Sequence, residues 1–123
     1  MTDLLLINVN KSAGVRPTIY DAVRYAWRVD PTRAATVAYV LAEYHGTCVG
    51  AFVADEWLPA TPENFPGLAA DPLAGEAPRE GRFGFVGREA PPDVLARYLG
   101  RRLDERQHGE QNPVRYRREE EYV

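Results

Sequence analysis

The residues of this chain whose types and spacing could do chemistry are arginines set among aromatic rings, and that chemistry is recognition of an anion. Of the 15 basic residues, all but Lys11 are arginine, and guanidinium groups offer planar, bidentate donors suited to phosphate or carboxylate. Arg24 is flanked by Tyr20 and Trp27 at helical spacing, where a ring could stack on a base or on the guanidinium itself. Trp57 closes a long apolar run, and Arg82 leads a glycine-rich one. Arg97 and Arg101, with Arg102 alongside, are spaced to share one exposed helix face and would supply sequence-independent attraction to phosphates. Asn8, Asn10 and Lys11 stand where a buried strand leaves its sheet, a common place for ligand-facing polar groups. Asn112 and Arg115 complete the candidate set. Each has a plainer alternative: Trp27 and Trp57 as core anchors, Arg24 paired with Asp21 or Asp30, Asn112 capping the turn into Pro113, and the Arg97 face simply solvated.

A reaction is not legible. The chain has no Walker-type phosphate loop, no GxGxxG after a strand, no HExxH and no paired-cysteine zinc spacing. His45 and Cys48 flank a tight turn, which sets their side chains apart, and the adjacent Asp55 and Glu56 face opposite ways in a strand, poor geometry for shared acid–base work. The expectation is a non-catalytic protein with no cofactor and no metal.

The elements that must position these residues centre on Val37 to Trp57. Two runs rich in Val, Tyr, Phe and Ala flank His45-Gly46, which reads as a β-hairpin. Ala38, Val40 and Ala42 alternate with Tyr39, Leu41 and Glu43, and Cys48, Gly50, Phe52 and Ala54 alternate with Val49, Ala51 and Val53. Both faces are mostly apolar, so the strands are expected to be central and buried on both sides. Gly50 suggests a bulge or a close backbone approach.

Leu4 to Val9 reads as a first buried strand, and Thr18 with Asp21 opens a helix expected to run to Trp27. Asp30-Pro31 starts a short helical turn. Residues 59–78 hold five prolines and two glycines and form a long irregular connection. Gly81 to Gly87 reads as a strand whose alternate glycines admit another backbone or a ligand. A last helix is expected over Asp93 to Arg106, with Leu95, Tyr98, Leu99 and Leu103 as its buried stripe. Asn112 to Tyr116 reads as a short extended segment.

At 123 residues the chain is expected to form one domain over residues 1–118, with 119–123 as a charged tail. The net charge of -3 is unevenly placed. Residues 37–78 carry six acids and no base, whereas 79–118 carry ten arginines against six acids. No apolar run approaches the roughly 20 residues that cross a bilayer, and no signal-peptide pattern is present; a cytoplasmic location and no membrane partner are expected. The single Cys48 lies in an apolar run and reads as a buried, reduced thiol.

The segments LLLINVN, IYDAVRYAWRVDPTRA, VGAFVADEWLPATPENFPG, GRFGFVGREAP and NPVRY, in this order, resemble a domain found at the C-terminus of some bacterial nucleases of the GIY-YIG family. The resemblance covers about residues 4–116. No paired tyrosine–glycine strand motif precedes LLLINVN, so it implies the accessory domain without the catalytic half, and nuclease activity does not transfer. It implies association with DNA processing.

The resulting expectation is an α+β fold, a small, mostly antiparallel curved sheet with two packed helices, closed by analogy into a PUA-like barrel. The leading function is a nucleic-acid-binding or targeting module, with DNA ahead of RNA as the partner. The alternatives are a small-molecule, nucleotide-like binding domain walled by Trp57, the proline-rich loop and the glycine strand, and an oligomerisation domain, a homodimer included, using Tyr39, Tyr44 and Tyr98.

Overall fold

The computed structural model describes residues 3–24, 27–67, 81–103 and 113–119. Five strands, β1 (Asp3–Asn8), β2 (Tyr39–Tyr44), β3 (Thr47–Pro59), β4 (Phe83–Glu89) and β5 (Val114–Arg118), and three short helices, α1 (Ile19–Arg24), α2 (Pro31–Ala34) and α3 (Pro92–Tyr98), make a small α+β fold. The strand order is β4-β3-β2-β1-β5. Only β1 and β2 run parallel; the other three pairings are antiparallel. The sheet stays open, with β4 and β5 as its edges, so the PUA-like closure is not formed. None of the helices among the described residues is long and apolar enough to cross a membrane.

The two-faced apolar pattern of the central strands has the expected consequence. On one face Leu5, Ile7, Val40, Ala42, Phe52 and Phe85 pack with Ala22 and Val23 of α1 and Ala34 of α2. On the other, Leu4, Leu6, Leu41, Cys48 and Ala51 pack with Val94 and Tyr98 of α3. Leu4 to Ile7 are all fully buried, and each such side chain contributes about 1.5–3 kcal/mol by leaving water.

The hairpin turn is at His45-Gly46, both with positive φ (49° and 84°), as a two-residue primed turn requires. The alternation in β3 differs from expectation. Glu43 is opposite Cys48 while Ala42 is opposite Gly50, so Val49 is an extra residue. This bulge puts Cys48 on the α3 face and Phe52 on the α1 face, although simple alternation places them together. At Gly50 an added Cβ would come within 2.9 Å of Ile19, so the close approach is by α1.

The helices begin where their caps dictate and stop earlier than their periodicity suggests. The Thr18 hydroxyl oxygen accepts the Asp21 N–H at 3.0 Å, and the Asp30 carboxylate accepts the Thr32 N–H at 2.9 Å. In place of a helix reaching Trp27, α1 spans Ile19–Arg24 and Trp27 forms a bridge with Phe83. The final helix ends at Tyr98 rather than Arg106, because Gly100 (φ 82°) turns the chain back onto the start of β3. There the Cys48 N–H donates to the Arg101 carbonyl (2.8 Å) and the Gly100 N–H to the Cys48 carbonyl (2.9 Å). Leu103 is buried all the same, in extended chain, while Leu99 is exposed. Arg97 and Arg101 therefore do not share a helix face.

Candidate functional site

Two connections bring distant parts of the chain together at the β5 edge. The Asp30-Pro31 cap starts α2 directly after Arg28 and Val29, and places Arg33 in its last turn. β5 pairs with β1 in a register that sets Tyr116 opposite Leu5 and Val114 opposite Ile7, on the face that carries α1 and α2. Between them opens a cleft of about 520 Å³, lined by Arg28, Val29, Asp30, Arg33 and residues 114–117. A volume of that order suits one small ligand.

The Arg33 guanidinium lies 3.8 Å from the centre of the Tyr116 ring, a cation–π contact, and Arg33 as a residue remains exposed. Neither Arg28 nor Arg33 makes an ion pair among the described residues. Asp30 is the one carboxylate of the lining, and it is engaged with the Thr32 N–H. Burial pushes the Tyr116 hydroxyl above its ordinary pKa; Arg33 opposes the shift and Asp30 adds to it. The phenol is thus neutral at physiological pH, and the cleft carries net positive charge.

Trp27 links this cleft to the other edge of the sheet. Its N–H donates to the Phe83 carbonyl (3.0 Å) and its carbonyl accepts the Phe83 N–H (2.8 Å), so the connection covers the end of β4. The next residue, Arg28, already lines the cleft. Farther along β4, the Gly87 N–H donates to the Tyr20 hydroxyl at 2.9 Å, which protects this edge from pairing with another chain.

Of the residues singled out from the sequence, Arg24, Trp27, Trp57 and Arg82 come together around the Phe83–Phe85 end of β4. Arg24 pairs with Asp21 (3.1 Å) and lies 4.9 Å from the Tyr20 ring centre. The Trp27 indole donates to the Val23 carbonyl (2.7 Å). Trp57 packs on Phe85, ring centres 5.1 Å apart, and its buried indole N–H has no hydrogen-bond partner among the described residues. The Arg82 carbonyl accepts the Ala60 N–H. Both indoles are half-buried and belong to the core cluster.

The others lie elsewhere. Asn8 accepts the Asn10 N–H (2.8 Å) and Asn10 accepts the His45 N–H (2.7 Å), so both asparagines tie down turns. Lys11 is exposed beside them. Arg97 pairs with Glu119, and Arg115 is buried against Glu43 and donates to the Leu103 carbonyl (3.1 Å). Asn112 lies outside the described residues, as does most of the proline-rich connection. At Gly87 a Cβ would overlap the Val53 carbonyl oxygen, so that glycine admits the sheet's own backbone.

Arg28, Arg33, Tyr116 and Arg117 were not distinguished in the sequence. The signal available was the period of two in VRYRR, since Arg115 and Tyr116 must face opposite ways. Comparison of the chain with protein-family models, curated proteins and solved structures finds no match.

Proposed function

We propose that this protein is a non-catalytic nucleic-acid-binding module and that the cleft between α2 and β5 is its contact surface. The observation that carries this reading is the stack of Arg33 on Tyr116 in a cleft that also holds Arg28, with both arginines free of carboxylate partners among the described residues. Guanidinium groups not already neutralised are the ones that can neutralise phosphates and release the cations condensed on a polyanion. Arg24, Arg88, Arg97 and Arg115 already have carboxylates. The resemblance to the accessory domain of GIY-YIG nucleases puts DNA ahead of RNA and a DNA-processing enzyme beside the module as its context.

Fluorescence anisotropy of a labelled 20-nucleotide DNA strand over a salt series tests the reading. On single strands the logarithm of affinity falls by about 0.7 per decade of salt for each phosphate neutralised, so the Arg28→Glu/Arg33→Glu variant should lose most affinity and flatten the slope by about 0.7 to 1.4, according to whether one or both arginines meet a phosphate. Binding that ignores salt, or survives both reversals, would overturn it. The cleft's volume also favours a second reading, binding of a free nucleotide. That reading expects thermal stabilisation by a mononucleotide and a weak salt response.

A further inference from the structure

We infer that the cleft takes one unpaired nucleotide, its base stacked on the open face of the Arg33 guanidinium and its phosphate against Arg28, so that the module binds single strands in preference to duplex. The inference rests on the nucleic-acid reading above and names the form of the ligand.

Three observations carry it. The first is shape. A duplex keeps its bases stacked inside and offers only their edges in the grooves, and reading it calls for a protruding helix or ribbon. This site is concave, holds about 520 Å³, and is walled by a strand edge on one side and the α1–α2 connection on the other. An extruded base and its sugar can enter it, whereas a stacked pair cannot.

The second is the platform. Arg33 is held against the Tyr116 ring at 3.8 Å while the residue itself remains exposed. Bases splayed out of a strand stack on guanidinium planes as well as on aromatic rings. The tyrosine fixes the plane in advance, which reduces the side-chain entropy lost on binding.

The third is charge placement. Arg28 lines the same cleft and has no carboxylate partner among the described residues, so it is available to the phosphate of the nucleotide whose base Arg33 receives. Asp30 lines the cleft as well, its Oδ1 accepting the Thr32 N–H of the α2 cap; its single negative charge is outnumbered by the guanidinium groups of the lining.

The experiment uses the full chain and three labelled probes of equal length: a mixed-sequence DNA strand, its blunt duplex, and a strand of the same phosphates bearing abasic sites. Base stacking changes affinity by roughly ten- to a hundred-fold, so the intact strand should bind at least about ten-fold tighter than either of the others. Arg33→Lys keeps the charge and removes the plane. It should cost a similar factor while leaving the salt slope unchanged, and as a substitution on an exposed side chain it leaves folding intact. Equal binding of strand and duplex, or of intact and abasic strands, overturns the inference. If that equality appears while Arg28→Glu/Arg33→Glu still abolishes binding, the nucleic-acid reading stands and only the unpaired-base proposal falls. If no probe is retained, both fall.

Discussion

The Glu43 carboxylate and the Arg115 guanidinium meet on the α3 side of the sheet, reaching over β1 to tie β2 to β5, with side chains only 4% and 1% exposed. Arg115 also donates to the Leu103 carbonyl, so the pair joins the segment after α3 to the same point. The consequence reaches the opposite face. β5 reads VRYRR, a weak hydrophobic pattern, and a slip of one residue would exchange every side chain between faces. A buried carboxylate that only an arginine at 115 can meet fixes the register, and that register places Tyr116 beneath Arg33.

Removing one partner of this pair should be costly. Glu43→Ala leaves a buried guanidinium without its carboxylate, and such single losses destabilise by about 3–5 kcal/mol. The double replacement Glu43→Leu/Arg115→Met removes both charges and should recover most of that loss. Denaturant unfolding of the three proteins measures it. A single variant within about 1 kcal/mol of the parent would show that the pair does not hold the sheet.

Cys48 makes a pH prediction. Burial pushes its thiol from the ordinary 9.0 to about 11, with the hydrogen bond to the Gly50 carbonyl (3.4 Å) beside it. Between those values the unfolded chain has released the proton and the folded chain has kept it, so stability falls as pH rises from 9 to about 11. The thiol contribution amounts to about 2–3 kcal/mol across that window. Cys48→Ala should flatten the decline, leaving the part due to Tyr98 and Tyr116, whose hydroxyls burial also pushes up. Unfolding midpoints of the two proteins at pH 8 and 11 check it; parallel declines would refute it.

Much of the fold was legible because local chemistry and burial agreed. Val and Phe runs around His45-Gly46 specify a hairpin, Asp30-Pro31 specifies a cap, and two-sided apolar strands specify cover on both faces. Two of the misses share a cause, a backbone demand made from far along the chain. Leu95, Leu99 and Leu103 keep helical spacing, yet the edge of β3 at Cys48, which the β4 pairing does not reach, draws residues 100–103 into extended chain. Val49 is the local exception, the one extra residue where Ala42 pairs with Gly50 and Glu43 with Cys48. The cleft was least legible. Arg28 and Arg33 meet Tyr116 only through the β1–β5 pairing, and nothing local to any of the three residues announces it.

Two glycines with different surroundings should respond differently to the same change. At Gly87 a Cβ would overlap the Val53 carbonyl oxygen, which belongs to backbone and cannot swing away. Gly87→Ala should therefore cost about 1–3 kcal/mol or more. Gly14 has nothing within 4 Å of the same added atom, so Gly14→Ala should be neutral or slightly stabilising, by up to about 1 kcal/mol. Thermal unfolding of both variants decides the matter, and equal losses would show that strand spacing at Gly87 is not what the glycine serves.

Two pairs of charge reversals separate the faces of the protein. Arg97 is exposed but engaged with Glu119, and Arg101 follows the turn at Gly100, where its carbonyl serves Cys48. Arg28 and Arg33 sit at the cleft on the other side of the sheet, without carboxylate partners among the described residues. If counterion release at the cleft drives binding, Arg97→Glu/Arg101→Glu changes only the distant field. At 0.15 M salt the screening length is about 8 Å, so affinity for the labelled strand should stay within about three-fold of the parent, with an unchanged salt slope. Arg28→Glu/Arg33→Glu, at equal change in net charge, should lose it. The matched net charge makes the comparison decisive, because a purely global electrostatic attraction would weaken equally in both variants. Loss on reversing Arg97 and Arg101 alone would move the contact to the α3 side.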